Sequence, residues 1–361
     1  MDVALIGLAS SGKTSLLKAL ASGHLPAHSN PNEPAVAVVK VPDERLDKLA
    51  TLVAAKKTTY LELRLLDFPS FSVGKKGPPP QLLGVLSTAD LLVHVVHAFS
   101  DAVVPHPLES VDPARDIAAL DLELCFADLG IVERRLERLA AEMRSTAAGA
   151  RGAQERERDL LNRLKEALEN EKPLRTIGLT ADDEALLGGF NLISAKPLLI
   201  VLNIDEADAG RSAEIEAEAR QQHAAPRTSV IAVPVKGEAD VAELPPEDAA
   251  EFRKELGLPE TPAAERLLRE AVSLLGLIAF YTAGPQDTHA WSVAAGTSAV
   301  KAAGRIHSDI ERGFIRAEVI GWQELLDAGS HAEAKKRGTM RVEGKTYEVQ
   351  DGDVINVLFN V

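Results

Sequence analysis

The stretch GLASSGKT, Gly7 to Thr14, concentrates more chemistry than any other part of the chain. Its G-x-x-x-x-G-K-[ST] spacing suits a polyphosphate. Consecutive backbone N–H groups wrap the anion, the following helix adds the positive end of its dipole, and glycines let the backbone approach closely. Gly7, Ser10, Ser11, Gly12, Lys13, Thr14 and Ser15 are therefore expected around phosphates, with Lys13 between the β and γ groups and the Thr14 hydroxyl on Mg2+. Asp67, in LLDFPS, is expected at a strand end, where an acid holds the same Mg2+, usually through water. Its plainer role is a turn or cap. NIDE, Asn203 to Glu206, ends another strand. Asn203 can bond a base edge and brace the phosphate loop, while Asp205 and Glu206 can accept from donors on the base. The alternative is a turn rich in capping residues.

These residues need strands whose C-terminal ends share one edge. Short apolar runs at 3–8, 36–41, 61–67, 90–96, 197–203 and 229–234 read as strands, with helical patterns between them. The alternation predicts an α/β fold with a mostly parallel sheet and helices on both faces. Between 117 and 143, apolar residues recur at helical steps: Leu120, Leu124, Val132, Leu136, Leu139 and Met143. After a polar, small-residue break at 145–154, Leu161, Leu164 and Leu168 share a second helical face. This predicts an inserted antiparallel helical hairpin. The charged face of Glu133, Arg134, Arg135, Glu137 and Arg138 reads as solvated, with a partner-binding arm as the alternative. From 277 onward, short strands broken by turns surround one helix near 298–308, the pattern of a small α+β domain. The expected division is 1–116 with 190–276 for the sheet domain, 117–189 for the hairpin and 277–361 for the last domain.

With 361 residues and 45% hydrophobic content the chain can bury several cores. Its formal charge of −14 argues against a broad nucleic-acid coat and allows a local basic patch. A single cysteine, Cys125, excludes an internal disulfide and fits a reducing compartment. Apolar runs are too short for a membrane span. A cytoplasmic protein is expected, with no membrane partner.

The motifs and several longer stretches resemble the YchF subfamily of Obg-like P-loop NTPases. YTAGPQDTHAWSVAAGTSAVKAAGRIHSDIERGFIRAEVI and VQDGDVINVLFNV resemble that family's TGS domain, a ubiquitin-like β-grasp module, and VPDERLDKLA, NIDEAD and GEADVAEL match as well. The likeness runs over nearly the whole chain in the family's domain order. It implies a cytoplasmic, Mg2+-dependent NTPase that associates with ribosomes and acts in translation and stress responses. Contacts to the ribosome or its RNA would run through the TGS-like domain and the hairpin. Ordinary GTPases carry N-K-x-D where this chain has Asn203, Ile204, Asp205 and Glu206. The family's similar N-x-x-E goes with ATP as well as GTP, so ATP is expected ahead of GTP. Pro234 and Val235 are expected to cover the base with backbone groups.

His106 matches a family histidine proposed to act in hydrolysis, and a neutral imidazole there could orient water. A loop histidine between Pro105 and Pro107 is the equal alternative. Pro31 stands where the family's switch Thr is expected, Ser70 replaces the glycine of D-x-x-G, Phe71 follows it, and Pro78 to Pro80 occupy a Gly-rich loop's place. Slow hydrolysis is expected, the alternative being a nucleotide-binding scaffold that hydrolyses little or nothing. Lys301, Arg305, His307, Arg312 and Arg316 could touch rRNA phosphates or form a solvated face, and Trp291 reads as packing.

Overall fold

The computed structural model describes residues 1–23, 34–70, 80–101, 103–145 and 152–360. Pro31, Phe71, Pro78 and Pro79 lie outside them. The chain forms two compact units, Met1–Val39 with Arg64–Leu267, and Lys40–Leu63 with Leu268–Val361.

The first unit is built on a sheet of order β2-β4-β1-β5-β6-β7, numbered along the chain. Its strands are β1 (Asp2–Ile6), β2 (Ala35–Lys40), β4 (Glu62–Asp67), β5 (Leu91–Ala98), β6 (Leu198–Ile204) and β7 (Thr228–Val233). β1 pairs in parallel with β4 and β5, and β6 with β5 and β7. β6 is buried along its whole length, and β1 and β5 along almost all of theirs. Their near-continuous Val, Ile and Leu runs are what a parallel sheet covered on both faces requires. β2, at the edge, alternates buried and exposed residues instead. The register sets Leu5 beside Asp67 and Ala98 beside Ile204. Gly7, Asp67 and Asn203 thereby arrive at one C-terminal edge, where open α/β sheets bind ligands.

The expected hairpin is present as helices Pro113–Ser145 and Gly152–Glu169. Val132, Leu139, Leu161, Leu164 and Leu168 bury one shared core, with Leu136 and Met143 packed against it. Leu120 and Leu124, read from the sequence as the same stripe, belong instead to the sheet's core with Leu92, Val96 and Leu202. The long helix thus roots in one core and builds another. Asp128, fully buried, pegs it: its carboxylate accepts from Ile193 N at 2.9 Å, Ser194 N at 2.7 Å and Ser194 Oγ at 2.6 Å.

The second unit has a mixed sheet of order β11-β10-β12-β8-β9-β3. These are β3 (Thr58–Thr59), β8 (Leu277–Ala283), β9 (Thr288–Ala294), β10 (Phe314–Gly321), β11 (Arg341–Glu343) and β12 (Asp353–Phe359). Helix Ala299–Ile306 packs Ala299, Ala302 and Ala303 on one face with Phe280, Phe314 and Val319. On the other face Leu46 and Leu49, from helix Glu44–Leu52, join Tyr281, Ala290, Leu325 and Val354. Residues 40–63, given to the first domain by sequence adjacency, therefore pack in the second unit. Asp43 fixes that arrangement, accepting from Arg45 N at 3.0 Å as a helix cap and from the Tyr281 hydroxyl at 2.5 Å. GTMRVEGKTYEV extends only over β11, and two helices not read from the sequence, Trp322–Ala328 and His331–Arg337, precede it. Among the described residues no helix is long and apolar enough to cross a membrane.

His94 sits in the middle of the first sheet, paired with Ile6 and Ile200, and is fully buried. Burial, with the charges of Arg175 and Lys13, pushes its pKa down to about 3. The unfolded chain takes up this proton below about pH 6.5 while the folded chain resists it. Stability from this residue is therefore full above pH 6.5 and is lost as pH falls towards 3. Urea unfolding at pH 7 and pH 5 should show wild type losing about 2 kcal/mol more than His94→Gln. Equal losses would show that His94 does not carry the acid sensitivity.

Candidate functional site

The phosphate loop owes its path to its glycines. Gly7 has φ +150 and Gly12 φ +94, conformations that side chains rarely adopt. A Cβ on Gly7 would strike the Val95 carbonyl oxygen, and one on Gly12 the amide nitrogen of Asn203. Gly12 leads directly into helix Lys13–Leu20, so the helix's first N–H groups face the loop. Ser10 to Ser15, with Asp67, Phe68, Pro69 and Ser70, line a cavity of 510 Å³.

Lys13 is 7% exposed. Its Nζ donates to Gly7 O at 3.2 Å, Leu8 O at 3.0 Å and Ser70 Oγ at 2.9 Å. Burial lowers its pKa to about 8, with Asp67 acting in the opposite sense. Ser70, read from the sequence only as a missing glycine, thus puts a hydroxyl on the lysine. Beside it the Thr14 hydroxyl donates to Asp67 Oδ2 at 3.0 Å. A hydroxyl and a carboxylate side by side at a phosphate loop are the hard oxygens that Mg2+ accepts, one or two from protein and the rest from phosphate and water.

A second cavity, of 300 Å³, adjoins the loop and is lined by Ser10, Gly12, Ser15, Phe99, Asp101, Val104, Asn203 to Glu206, Val235 and Lys236. Asn203 is its brace. Its Nδ2 donates to Ser11 O at 3.0 Å and its Oδ1 accepts from Val235 N at 3.2 Å. Asp205 accepts from Ser100 N at 3.0 Å, and Glu206 pairs with Lys236 Nζ at 3.1 Å. All three polar side chains of NIDE hold protein groups. Val235 starts helix Val235–Val241, and its N–H is committed to Asn203. Pro234 caps that helix without lining the cavity. Phe99 and Lys236 were not singled out in the sequence as lining residues. Phe99 lies just past the end of β5, the edge shared by the other motifs, and that position is the signal for it.

His106 lies elsewhere. It is buried, with Nε2 2.6 Å from Asp116 Oδ2 and Leu108 N donating to Nδ1 at 3.0 Å. An accepting Nδ1 places the ring proton on Nε2, so both nitrogens are engaged. Arg115 holds the other Asp116 oxygen, at 3.0 and 2.9 Å. The ring tilts against His97, 4.8 Å away, which stacks on Phe99 at 3.8 Å. His106 is not among the residues lining the phosphate cavity. In the second unit, Lys301 pairs with Glu311 at 2.8 Å and Arg312 with Asp309, and Trp291 stacks on His289 at 3.7 Å and donates to Thr282 Oγ1.

Asn203→Ala should weaken nucleotide binding about tenfold and lower stability by about 1–3 kcal/mol, by leaving the Ser11 carbonyl and Val235 N–H without their partner. Calorimetric titration together with denaturant unfolding checks both. For His106, a loop peg predicts that His106→Ala and Asp116→Ala change turnover alike. Lost turnover in His106→Ala alone would mark a ring that leaves Asp116 to act on water.

The chain is similar to several known proteins. The family model YchF-GTPase_C, described as a protein of unknown function, matches residues 277–360. The chain is 37% identical to the ribosome-binding ATPase YchF of Bacillus subtilis, covering 100% of both chains. It is 34% identical to that of Escherichia coli O157:H7, over 99% of this chain and 98% of the relative. To Obg-like ATPase 1 of Oryza sativa subsp. japonica it is 32% identical, over 100% of this chain and 92% of the relative. The structure of the Schizosaccharomyces pombe YchF GTPase matches with a TM-score of 0.85 at 25% identity, covering 99% of this chain and 97% of that one. A GTP binding protein from Pyrococcus horikoshii OT3 shares the fold at a TM-score of 0.58 and 15% identity, covering 100% of each chain.

Proposed function

The chain belongs to the YchF family of Obg-like ATPases, and on that footing we propose that it binds a purine nucleoside triphosphate with Mg2+, favours ATP over GTP, and slowly hydrolyses the β–γ anhydride while associated with ribosomes. The observation that carries this reading is Lys13, an ammonium buried in a phosphate-shaped loop whose hydrogen-bond contacts among the described residues are neutral oxygens. A triphosphate supplies an anion in direct contact, where Asp67 acts only at longer range.

The chain's own residues divide the work. The loop's N–H groups and the start of helix Lys13–Leu20 receive the phosphates. Lys13 exchanges Ser70 Oγ for phosphate oxygen and neutralises charge on the leaving and transferred groups. Thr14 and Asp67 would hold Mg2+, which when bound offsets negative charge on the β and γ oxygens. Asn203 keeps the loop and the base cavity in register, and the base enters beside Phe99. His106, if it orients water, must first give up Asp116 and Leu108. The curated relatives are named ATPases, and a scaffold without hydrolysis finds no support in them. The relatives are named ribosome-binding without a part being specified; the hairpin and the TGS-like second unit are our assignment for that contact, resting on the sequence resemblance alone.

Phosphate release with ATP and with GTP, in Mg2+, compared with Lys13→Ala, tests the enzyme reading. Lys13-dependent turnover, faster with ATP, is expected, and turnover indifferent to Lys13 would sink it. Co-sedimentation with purified ribosomes, with and without nucleotide, tests the partner: failure to pellet in either state would remove the ribosome from the proposal.

A further inference from the structure

The base cavity is acidic. Asp101, Asp205 and Glu206 all line it, and Lys236 is its one lysine or arginine among the described lining residues. Asp205 accepts from the Ser100 N–H, and Glu206 stands at the fourth position of NIDE, where the resemblance to GTPases sets the acid that reads guanine. Guanine offers N1–H and N2–H donors on its pairing edge and so gains from a carboxylate acceptor. Adenine offers one amino donor next to an acceptor nitrogen, which a carboxylate repels. In this structure Glu206 Oε2 lies 3.1 Å from Lys236 Nζ.

We propose that Lys236 is a specificity-determining residue: by pairing with Glu206 it withdraws the acceptor that guanine needs and removes the charge that adenine avoids. This deepens the proposed function and rests on it. Two fixed backbones hold the pair in place. Lys236 follows Val235, which is fully buried and tied to Asn203, and Glu206 opens the short helix Glu206–Arg211 directly after β6. The side chains themselves reach solvent, with 74% of Lys236 and 38% of Glu206 exposed. Neighbouring Glu206, Asp240 and Asp101 all favour the charged lysine. Exposed pairs are weak, so the discrimination should be modest and screened by salt.

Equilibrium titration of the full chain with ATP and with GTP, in Mg2+, tests this for wild type, Lys236→Ala, Glu206→Gln and the double variant. Lys236→Ala should lower the ratio of the GTP to the ATP dissociation constant about fivefold, through tighter GTP binding. The shift should vanish when Glu206 is already Gln, since the two residues act through each other. An unchanged ratio, a ratio moved in favour of ATP, or the same shift in the Glu206→Gln background would each overturn the assignment. A wild type that binds neither nucleotide through Lys13 would overturn the proposed function together with it. Normal binding with an invariant ratio removes Lys236 alone.

Discussion

A buried ammonium held by neutral oxygens organises the first unit. Two backbone carbonyls and the Ser70 hydroxyl take the place of much of the water around Lys13. That substitution is incomplete, because burial still lowers the lysine's affinity for its proton. The imbalance is useful only if an anion completes it. The surrounding architecture keeps the imbalance in place: Gly7 and Gly12 bend the loop so that its carbonyls reach Nζ, and the ends of β1, β4 and β6 bring the loop, Asp67 and Asn203 to one edge. The sheet beneath can tolerate such a site because its strands β1, β5 and β6 are buried along nearly their whole length.

What could be read from the sequence follows from which forces are local. The strands of the first sheet are legible because a strand covered on both faces must be apolar throughout, and the loop because its glycines are obligatory at that spacing. Periodicity also exposed the hairpin, but it reports which residues point inward and not which core receives them. Leu120 and Leu124 share the stripe of Val132 and Leu139 yet pack in the sheet. Helix Glu44–Leu52 shows the same gap on a larger scale. Its amphipathic pattern is plain, while its partners Tyr281 and Val354 lie far along the chain.

Polar residues were harder to read for a related reason. A side chain's type says what it can bond, and only the fold says what it does bond. Asn203 reads as both a base contact and a brace for the loop; the fold shows the brace and adds a partner no motif names, its amide spanning Ser11 and Val235. Ser70 reads as a lost glycine until its hydroxyl is found on Lys13. His106 is near Asp116 in sequence, but their contact needs the first turn of helix Pro113–Ser145 to face the loop, which no spacing rule reveals. Each partner pair crosses between separate elements of the unit, so each is a product of the fold rather than of a motif.

The two ends of the site consequently use opposite devices. At the phosphate end a buried cation has, among the described residues, no anion in hydrogen-bond contact, only the charge of nearby Asp67, and the first N–H groups of helix Lys13–Leu20 point into the loop. At the base end the polar groups are already satisfied by one another: Asn203 by two backbone groups, Asp205 by Ser100, Glu206 by Lys236. Desolvated charge gains most from a new partner, and a satisfied pair gains least. Affinity for a nucleotide should then come from its phosphates, with the base contributing shape against Phe99 and a small electrostatic preference. On the proposed function, a site divided in this way should hold triphosphates firmly and distinguish their bases weakly. That accounts for a fold that keeps its phosphate loop intact while the residues at the other end depart from the guanine-reading pattern.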